Sequence, residues 1–301
     1  MILLLKLLAW FFAAVPARVA RGLGRGLGRL GHLFLRSKVK LARDALAASF
    51  PDWSTERVHR TTREVFANQG LFLAEFFRKL GRPRRDPVDE IAFDDADVEY
   101  YKHLKEEHGA LLVLVGHINN YEYLAAWAAR LFPLSIIAKP LKPERFGAYI
   151  REVRASYGLQ EFPHHDSYRA VLRNLKQGGC VGFILDQSRP RDQGVFVSFF
   201  GRPANTSPGL AMMSAHSGVP VLPVWLKREG DKLRVKHMET IPPPPDREVT
   251  TLQDYTQRYA TALEQMIREQ PESWIWMHQR WKVQPRPGDR ITRSDGSAYH
   301  A

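Results

Sequence analysis

The chain is poor in cysteine: its 301 residues contain one, Cys180. No intrachain disulfide can form, and no Cys/His spacing matches a zinc site. A phosphate-binding glycine loop is also missing. The Gly-rich run "RGLGRGLG", Arg21 to Gly28, follows no strand and so is not a nucleotide fingerprint. Ser188, Ser207 and Ser214 stand in no G-x-S-x-G context, which removes the elbow of a serine hydrolase. No segment repeats with a period of roughly 20 to 50 residues. The N-terminal apolar run, Ile2 to Val15, is interrupted by Lys6 and is shorter than the roughly 20 residues of a spanning helix. Acid is absent from residues 1–43, which hold nine Lys/Arg and carry most of the net charge of +12.

What is present is a core-forming composition, 44% hydrophobic, which excludes a disordered chain. Arg18, Arg21, Arg25, Arg29, Arg36, Lys38 and Lys40 follow the apolar run, and by the positive-inside rule they stay cytoplasmic. Residues 1–35 therefore read as an uncleaved membrane anchor with a basic, Leu-bearing segment lying on an anionic membrane surface. The bland alternative is the first core helix of a soluble protein. Leu and Gly, rather than stacking aromatics, separate the charges, which argues against nucleic acid.

Residues 36–285 alternate strand and helix patterns. "SFPDWSTERV" opens a helix capped by Ser54, and "GRPRRDP" breaks it. "ALLVLVG", "LSIIAKP", "CVGFILDQ", "VPVLPVWLKR" and "KLRVKHMETI" read as strands. "NYEYLAAWAARLF", "PERFGAYIREVRASYG", "SYRAVLRNLKQGG", "TSPGLAMMSAHSG" and "TTLQDYTQRYATALEQMIREQ" read as helices, the fourth with a Ser cap and Pro208 in its first turn. The expected fold is α/β, a mixed central sheet flanked by helices, with the N-terminal membrane-anchoring helix added. Residues 286–301 form a polar tail, expected to be loose.

Three blocks carry candidate chemistry. In "GHINNYE", His117 follows a strand and Glu122 comes five positions later. On one continuous helix these side chains would diverge by about 140°. They meet only if His117 stands in the turn and Glu122 in the first helical turn, with Asn119 or Asn120 as N-cap. A carboxylate on one imidazole nitrogen raises the basicity of the other, so the pair would serve as a general base at the carboxyl end of a strand. A capped polar turn with a surface histidine is the plain alternative. The second block, "DQSRPRDQGVFVSFFGRPANTSPG", joins Asp186-Gln187 to a basic loop and a helix start. Arg189, Arg191 and Arg202 there would attract an anionic ligand, unless the loop is merely solvated. In the third, "WIWMHQRWKVQP", the Trp residues form either an interfacial patch or packing. Cys180 reads as inert core, and His164, His165 and Asp166 as a helix start rather than a metal site.

In this order, "GHINNYE", "REVRASYG", "DQSRPRDQGVFVSFFGRPANTSPG" and "WIWMHQRWKVQP" resemble the late acyltransferases of lipid A biosynthesis, the lauroyl and myristoyl transferases of the glycerolipid acyltransferase superfamily. The likeness covers nearly the whole chain. It implies acyl transfer from an acyl carrier protein or CoA thioester to a hydroxyl of a glycolipid acceptor, without metal or cofactor, at the cytoplasmic face of a bacterial inner membrane. It implies His117 as general base and Glu122 as its acidic partner. Arg154, with Arg151 as a substitute, matches the family's arginine, and Arg154 or backbone amides would stabilise the oxyanion. Asp186 and Gln187 match its Asp-Gln pair, and Phe199, Phe200 and Gly201 its site-lining loop, beside Arg189. The glutamate at the fifth position leans toward the lipid A branch. The rival readings are an acyltransferase of lysophospholipid or phosphatidylinositol mannoside type, a non-catalytic lipid-binding protein, and a soluble α/β hydrolase or nucleotide enzyme.

Overall fold

The structure is a computed structural model that describes residues 2–82, 91–92, 95–163 and 167–301. The expected helix break begins at Gly81, which caps the end of a helix closing at Leu80; its residues 83–87, and the group His164, His165 and Asp166, lie outside the described residues.

Strands alternate with helices along the chain, as the hydrophobic pattern predicts. The main sheet uses β1 (Ile91–Ala92), β2 (Leu111–Val115), β3 (Leu134–Ala138), β4 (Gln160–Pro163), β5 (Cys180–Ile184), β8 (Val221–Glu229) and β9 (Lys232–His237). Their order is β1-β9-β8-β2-β5-β3-β4. The ladder is parallel from β8 across to β4, whereas β8 and β9 form an antiparallel pair. Both faces are covered, which is why β2 and β5 read as continuous aliphatic runs. The helices are α1 (Ile2–Ala14), α2 (Ala17–Phe34), α3 (Arg36–Ser49), α4 (Thr55–Leu80), α5 (Asp95–His108), α6 (Tyr121–Leu131), α7 (Glu144–Ser156), α8 (Ser167–Lys176), α9 (Gly209–Ser217) and α10 (Val249–Glu269). Ser54 caps α4 by accepting from Arg57 N at 3.2 Å. At α9 the expected register slips by one: Pro208 is the N-cap, and the Ser207 hydroxyl accepts from Gly209 N.

A second sheet was not legible in the hydrophobic pattern. β6 (Val195–Phe199) and β7 (Arg202–Thr206) form a hairpin, and β10 (Arg290–Thr292) pairs parallel to β6. β11 (Ala298–His300) completes the order β11-β10-β6-β7. The tail at 286–301 is therefore not loose: backbone pairing orders it despite its polar side chains.

The N-terminal helices are part of the body. Glycines let α2 and α4 touch backbone to backbone: a Cβ on Gly70 would meet Gly24 O at 2.1 Å and Gly28 N at 2.6 Å. Among the described residues no helix is long and apolar enough to cross a membrane. The basic residues of α2 also differ from expectation. Arg18 and Arg21 pair with Asp231, and Arg25 and Arg29 with Glu64, so these charges face protein carboxylates. Beside the exposed Lys6, Arg18 and Arg29, α1 and α2 turn outward a set of large apolar side chains: Leu3, Leu4, Leu7 and Trp10, then Val19, Leu23, Leu27, Leu30, Leu33 and Phe34.

Candidate active site

Two strand ends build the site. β2 and β5 run parallel in register, with Val115 opposite Ile184. His117 and Asp186 each lie two residues past that pair, so the chain delivers them side by side at the carboxyl crest of the sheet, where open α/β sheets place ligands. The turn from β2 to α6 then reverses sharply. Asn119 adopts a left-handed φ of 47°, which Asn tolerates better than most residues. Asn120 is the N-cap, accepting from Tyr123 N at 3.1 Å. His117 thus stands off the helix and Glu122 in its first turn.

The carboxylate on the imidazole is not Glu122. Asp186 Oδ1 lies 2.7 Å from His117 Nδ1, and Asp186 Oδ2 accepts from the His117 backbone N–H and from Trp274 Nε1, each at 2.7 Å. Burial alone would raise the Asp186 pKa, but His117 and these donors hold it down at about 2. Burial likewise works to lower the His117 pKa. The charge and hydrogen bond of Asp186 outweigh it, with help from the Glu122 charge, so the net direction is upward. With Nδ1–H donated to Asp186, Nε2 is left as the acceptor. The Gln187 side-chain amide donates to it at 3.4 Å.

Glu122 has other partners. Lys79 Nζ donates to the Glu122 carbonyl at 2.8 Å and lies 3.7 Å from its carboxylate. Arg154 clasps the carboxylate with Nη2 and with Nε at 3.3 Å, and its Nη1 donates to Glu161 at 2.7 Å. Burial would raise the Glu122 pKa; Lys79 and Arg154 override it, and the net shift is downward. Lys79 pays the reverse tax: burial lowers it to about 8 despite Glu122. Arg154 is thereby committed to two carboxylates and is not a free oxyanion donor. The five-residue spacing is right about where Glu122 stands and wrong about what it touches.

An apolar cavity of about 540 Å³ opens at this crest. Its lining includes His117, Tyr121, Glu122, Arg154, Gln187 and Arg189, and it descends among the aliphatic side chains of β2, β3, β5 and β8. Arg151, on the same helix α7, is not in that lining. Neither are Phe199, Phe200 and Gly201. Phe199 is fully buried and packs on Trp274 and Trp281; Phe200 packs on Phe50 and Trp276. Gly201, at φ 70°, closes the β6–β7 turn. The hydrophobicity that suggested a lining loop puts it in the core instead. Of the expected anion-binding arginines, only Arg189 reaches the cavity. Arg191 pairs with Asp289, and Arg202 stacks on Trp281 and donates to Ser49.

The Trp block is packing with a function. Trp274 and Trp276 are fully buried, and Trp274 holds the second oxygen of Asp186. Arg280, also fully buried, donates to the carbonyls of Gln187 and Asn205 and ties the Asp-Gln turn to the β6–β7 hairpin. Sequence reading missed both roles; the W-x-W-x3-R spacing was the signal available. Cys180 lines the opposite end of the cavity from His117, its thiol pushed up to about 11 chiefly by burial. Among the described residues no three His, Cys, Asp or Glu side chains converge as a metal site.

The site thus sets a histidine, held through Nδ1 by a buried aspartate, in the wall of an apolar cavity at the carboxyl crest of an α/β sheet. The chain belongs to the bacterial lipid A biosynthesis acyltransferase family, whose model matches residues 1–283. It is an acyltransferase, one that moves groups other than amino-acyl groups. It is 24% identical over 288 residues to the lipid A biosynthesis palmitoleoyltransferase of Escherichia coli (strain K12), covering 92% of this chain and 89% of that protein. It is 23% identical over 283 residues to the lauroyltransferase of the same strain, with the same coverage of 92% and 89%. Over 226 residues it is 24% identical to the phosphatidylinositol mannoside acyltransferase of Mycolicibacterium smegmatis (strain ATCC 700084 / mc(2)155), covering 73% of this chain and 71% of that one.

Proposed function

We propose that the protein transfers a fatty acyl chain from an acyl carrier protein or CoA thioester to a hydroxyl of a lipid A precursor or related glycolipid. The observation that carries this reading is His117 in the wall of the apolar cavity, with its Nδ1 locked by Asp186. The acceptor hydroxyl gives its proton to Nε2 as its oxygen attacks the thioester carbonyl. The tetrahedral oxyanion collapses, the carbon–sulfur bond breaks, and the proton passes from Nε2 to the departing thiolate. Asp186 stabilises the imidazolium between those two transfers. The Gln187 amide, beside Nε2, is a donor for the oxyanion. No acyl-enzyme is needed, and Cys180 at the far end of the cavity is remote from the base. Burial of the acyl chain contributes about 0.8 kcal/mol per methylene.

The enzyme works at the cytoplasmic face of a bacterial inner membrane in this reading. The apolar faces of α1 and α2 lie in the interface, and the basic N-terminal segment adds attraction to anionic lipid. The mycobacterial relative favours a second acceptor class, a mannosylated phosphoinositide, for the same chemistry.

The test is acyl transfer by the purified full-length protein from an acyl carrier protein thioester to a lipid A precursor, with His117→Ala as control. Transfer by the wild type and its loss in H117A are expected; near wild-type transfer by H117A would sink the mechanism. Mass spectrometry of lipids from cells lacking and overexpressing the protein identifies the acceptor. An unchanged profile in both would favour a lipid-binding protein.

A further inference from the structure

The strand register sorts the cavity wall into three layers. The top layer, beside His117, is Val115, Ile184, Ala138 and Val224. The bottom layer is Leu111, Cys180 and Leu134. The middle layer is Val113, Ile136, Leu222 and Gly182. Three of these four carry aliphatic side chains and one carries none. Gly182 sits at the centre of β5, between β2 and β3 in the interior of the sheet. A glycine there weakens the strand and has no turn or left-handed conformation to justify it. Its missing side chain would point to the cavity face, where a Cβ meets Ile136 Cγ2 at 3.4 Å, ordinary contact distance. The absence therefore reflects not a crowded backbone but space left open in the cavity. On the facing helix, α6, the lining includes the small Ala125 and Ala128 beside the larger Leu124 and Trp127.

Below Gly182 the cavity continues to Trp127 and Tyr101. The Tyr101 hydroxyl is buried and has no hydrogen-bond partner among the described residues.

We infer that Gly182 is the position that admits an acyl chain to the lower third of the cavity, and so sets the longest chain the enzyme accepts. This rests on the acyl-transfer reading above. From Gly182 down to Cys180 is two strand residues, about 7 Å at ~3.3 Å per residue, room for roughly five methylenes. A side chain at this position leaves those methylenes outside, at about a fourfold loss each.

The test compares wild type, Gly182→Ala and Gly182→Ile, all full length in detergent micelles. Ile is a strand former, so G182I should keep the thermal midpoint of the wild type; G182A adds one methyl and is the milder variant. One arm measures kcat/KM with acyl carrier protein thioesters of graded saturated chain length. The expected result is an optimum shortened by roughly five carbons in G182I and by less in G182A, with the longest chains falling by at least about a hundredfold. The other arm measures thermal stabilisation by free saturated fatty acids of the same lengths, and the same cut-off should appear there. A wild type that binds fatty acids but transfers no chain defeats the acyl-transfer reading. A chain-length profile in which G182I matches the wild type, in either arm, overturns the role given to Gly182.

Discussion

Asp186 holds His117 at two points, 2.7 Å from Oδ1 to the ring Nδ1 and 2.7 Å from Oδ2 to the backbone nitrogen. One carboxylate thus fixes the tautomer, the ring orientation and the strand-end turn together. Trp274 donates to Oδ2 as well at 2.7 Å, so that oxygen accepts two hydrogen bonds from the protein itself.

Asp186→Asn should lower kcat by about a hundred- to ten-thousand-fold, the cost of losing the correct tautomer and the stabilised imidazolium. The pH profile gives the sharper check. In the wild type the base form of His117 accumulates as pH rises through a midpoint above that of an ordinary histidine, because Asp186 outweighs the lowering by burial. In D186N the burial contribution remains and the carboxylate is gone, so the midpoint of kcat against pH should move to lower pH. A midpoint unchanged by the substitution would show that Asp186 does not set the basicity of His117.

Glu122→Ala should cost stability first. Lys79 and Arg154 would be left buried beside a lost carboxylate, and breaking such a pair from one side typically costs about 3–5 kcal/mol. Urea melts of E122A and H117A separate the two residues: a large drop in midpoint is expected for E122A and a small one for H117A. An inactive E122A with a wild-type midpoint would instead assign Glu122 a part in the chemistry.

Leu23→Asp with Leu27→Asp should abolish co-flotation with phospholipid vesicles while leaving the thermal midpoint close to that of the wild type. Both leucines lie on the outward face of α2, 42% and 57% exposed, so little packing is lost. Because four arginines of α2 already face Asp231 and Glu64, removing anionic lipid from the vesicles should weaken flotation less than the double substitution does. Unimpaired flotation of the double variant would place the membrane contact elsewhere.

The alternating architecture was legible because β2, β5 and β8 are buried on both faces and α4 and α10 carry long amphipathic patterns. A cap at Asn119 or Asn120, which the structure resolves to Asn120, and the standing of His117 off the helix followed from local rules. The partner of His117 did not. Asp186 is 69 residues away, and only the register of β2 on β5 makes the two strand ends coincide. Glu122 misled for the same reason, since Lys79 and Arg154 arrive from α4 and α7, 43 and 32 residues distant. Phe199 and Phe200 show that apolar character near a polar motif does not say which side of a hairpin faces the site. The strands at 290–292 and 298–300 show that backbone pairing can order a segment with no hydrophobic signature.

Trp274 has a bearing on how the enzyme is born. It follows Asp186 by 88 residues, and a chain made from its N-terminus has β2 and β5 available well before it. Until the Trp block arrives, Oδ2 of Asp186 lacks its indole donor, and the turn at 186–187 lacks the Arg280 brace. The β2–β5 pair that brings His117 beside Asp186 is thus complete in the chain before the indole donor and the guanidinium brace that buttress its turn.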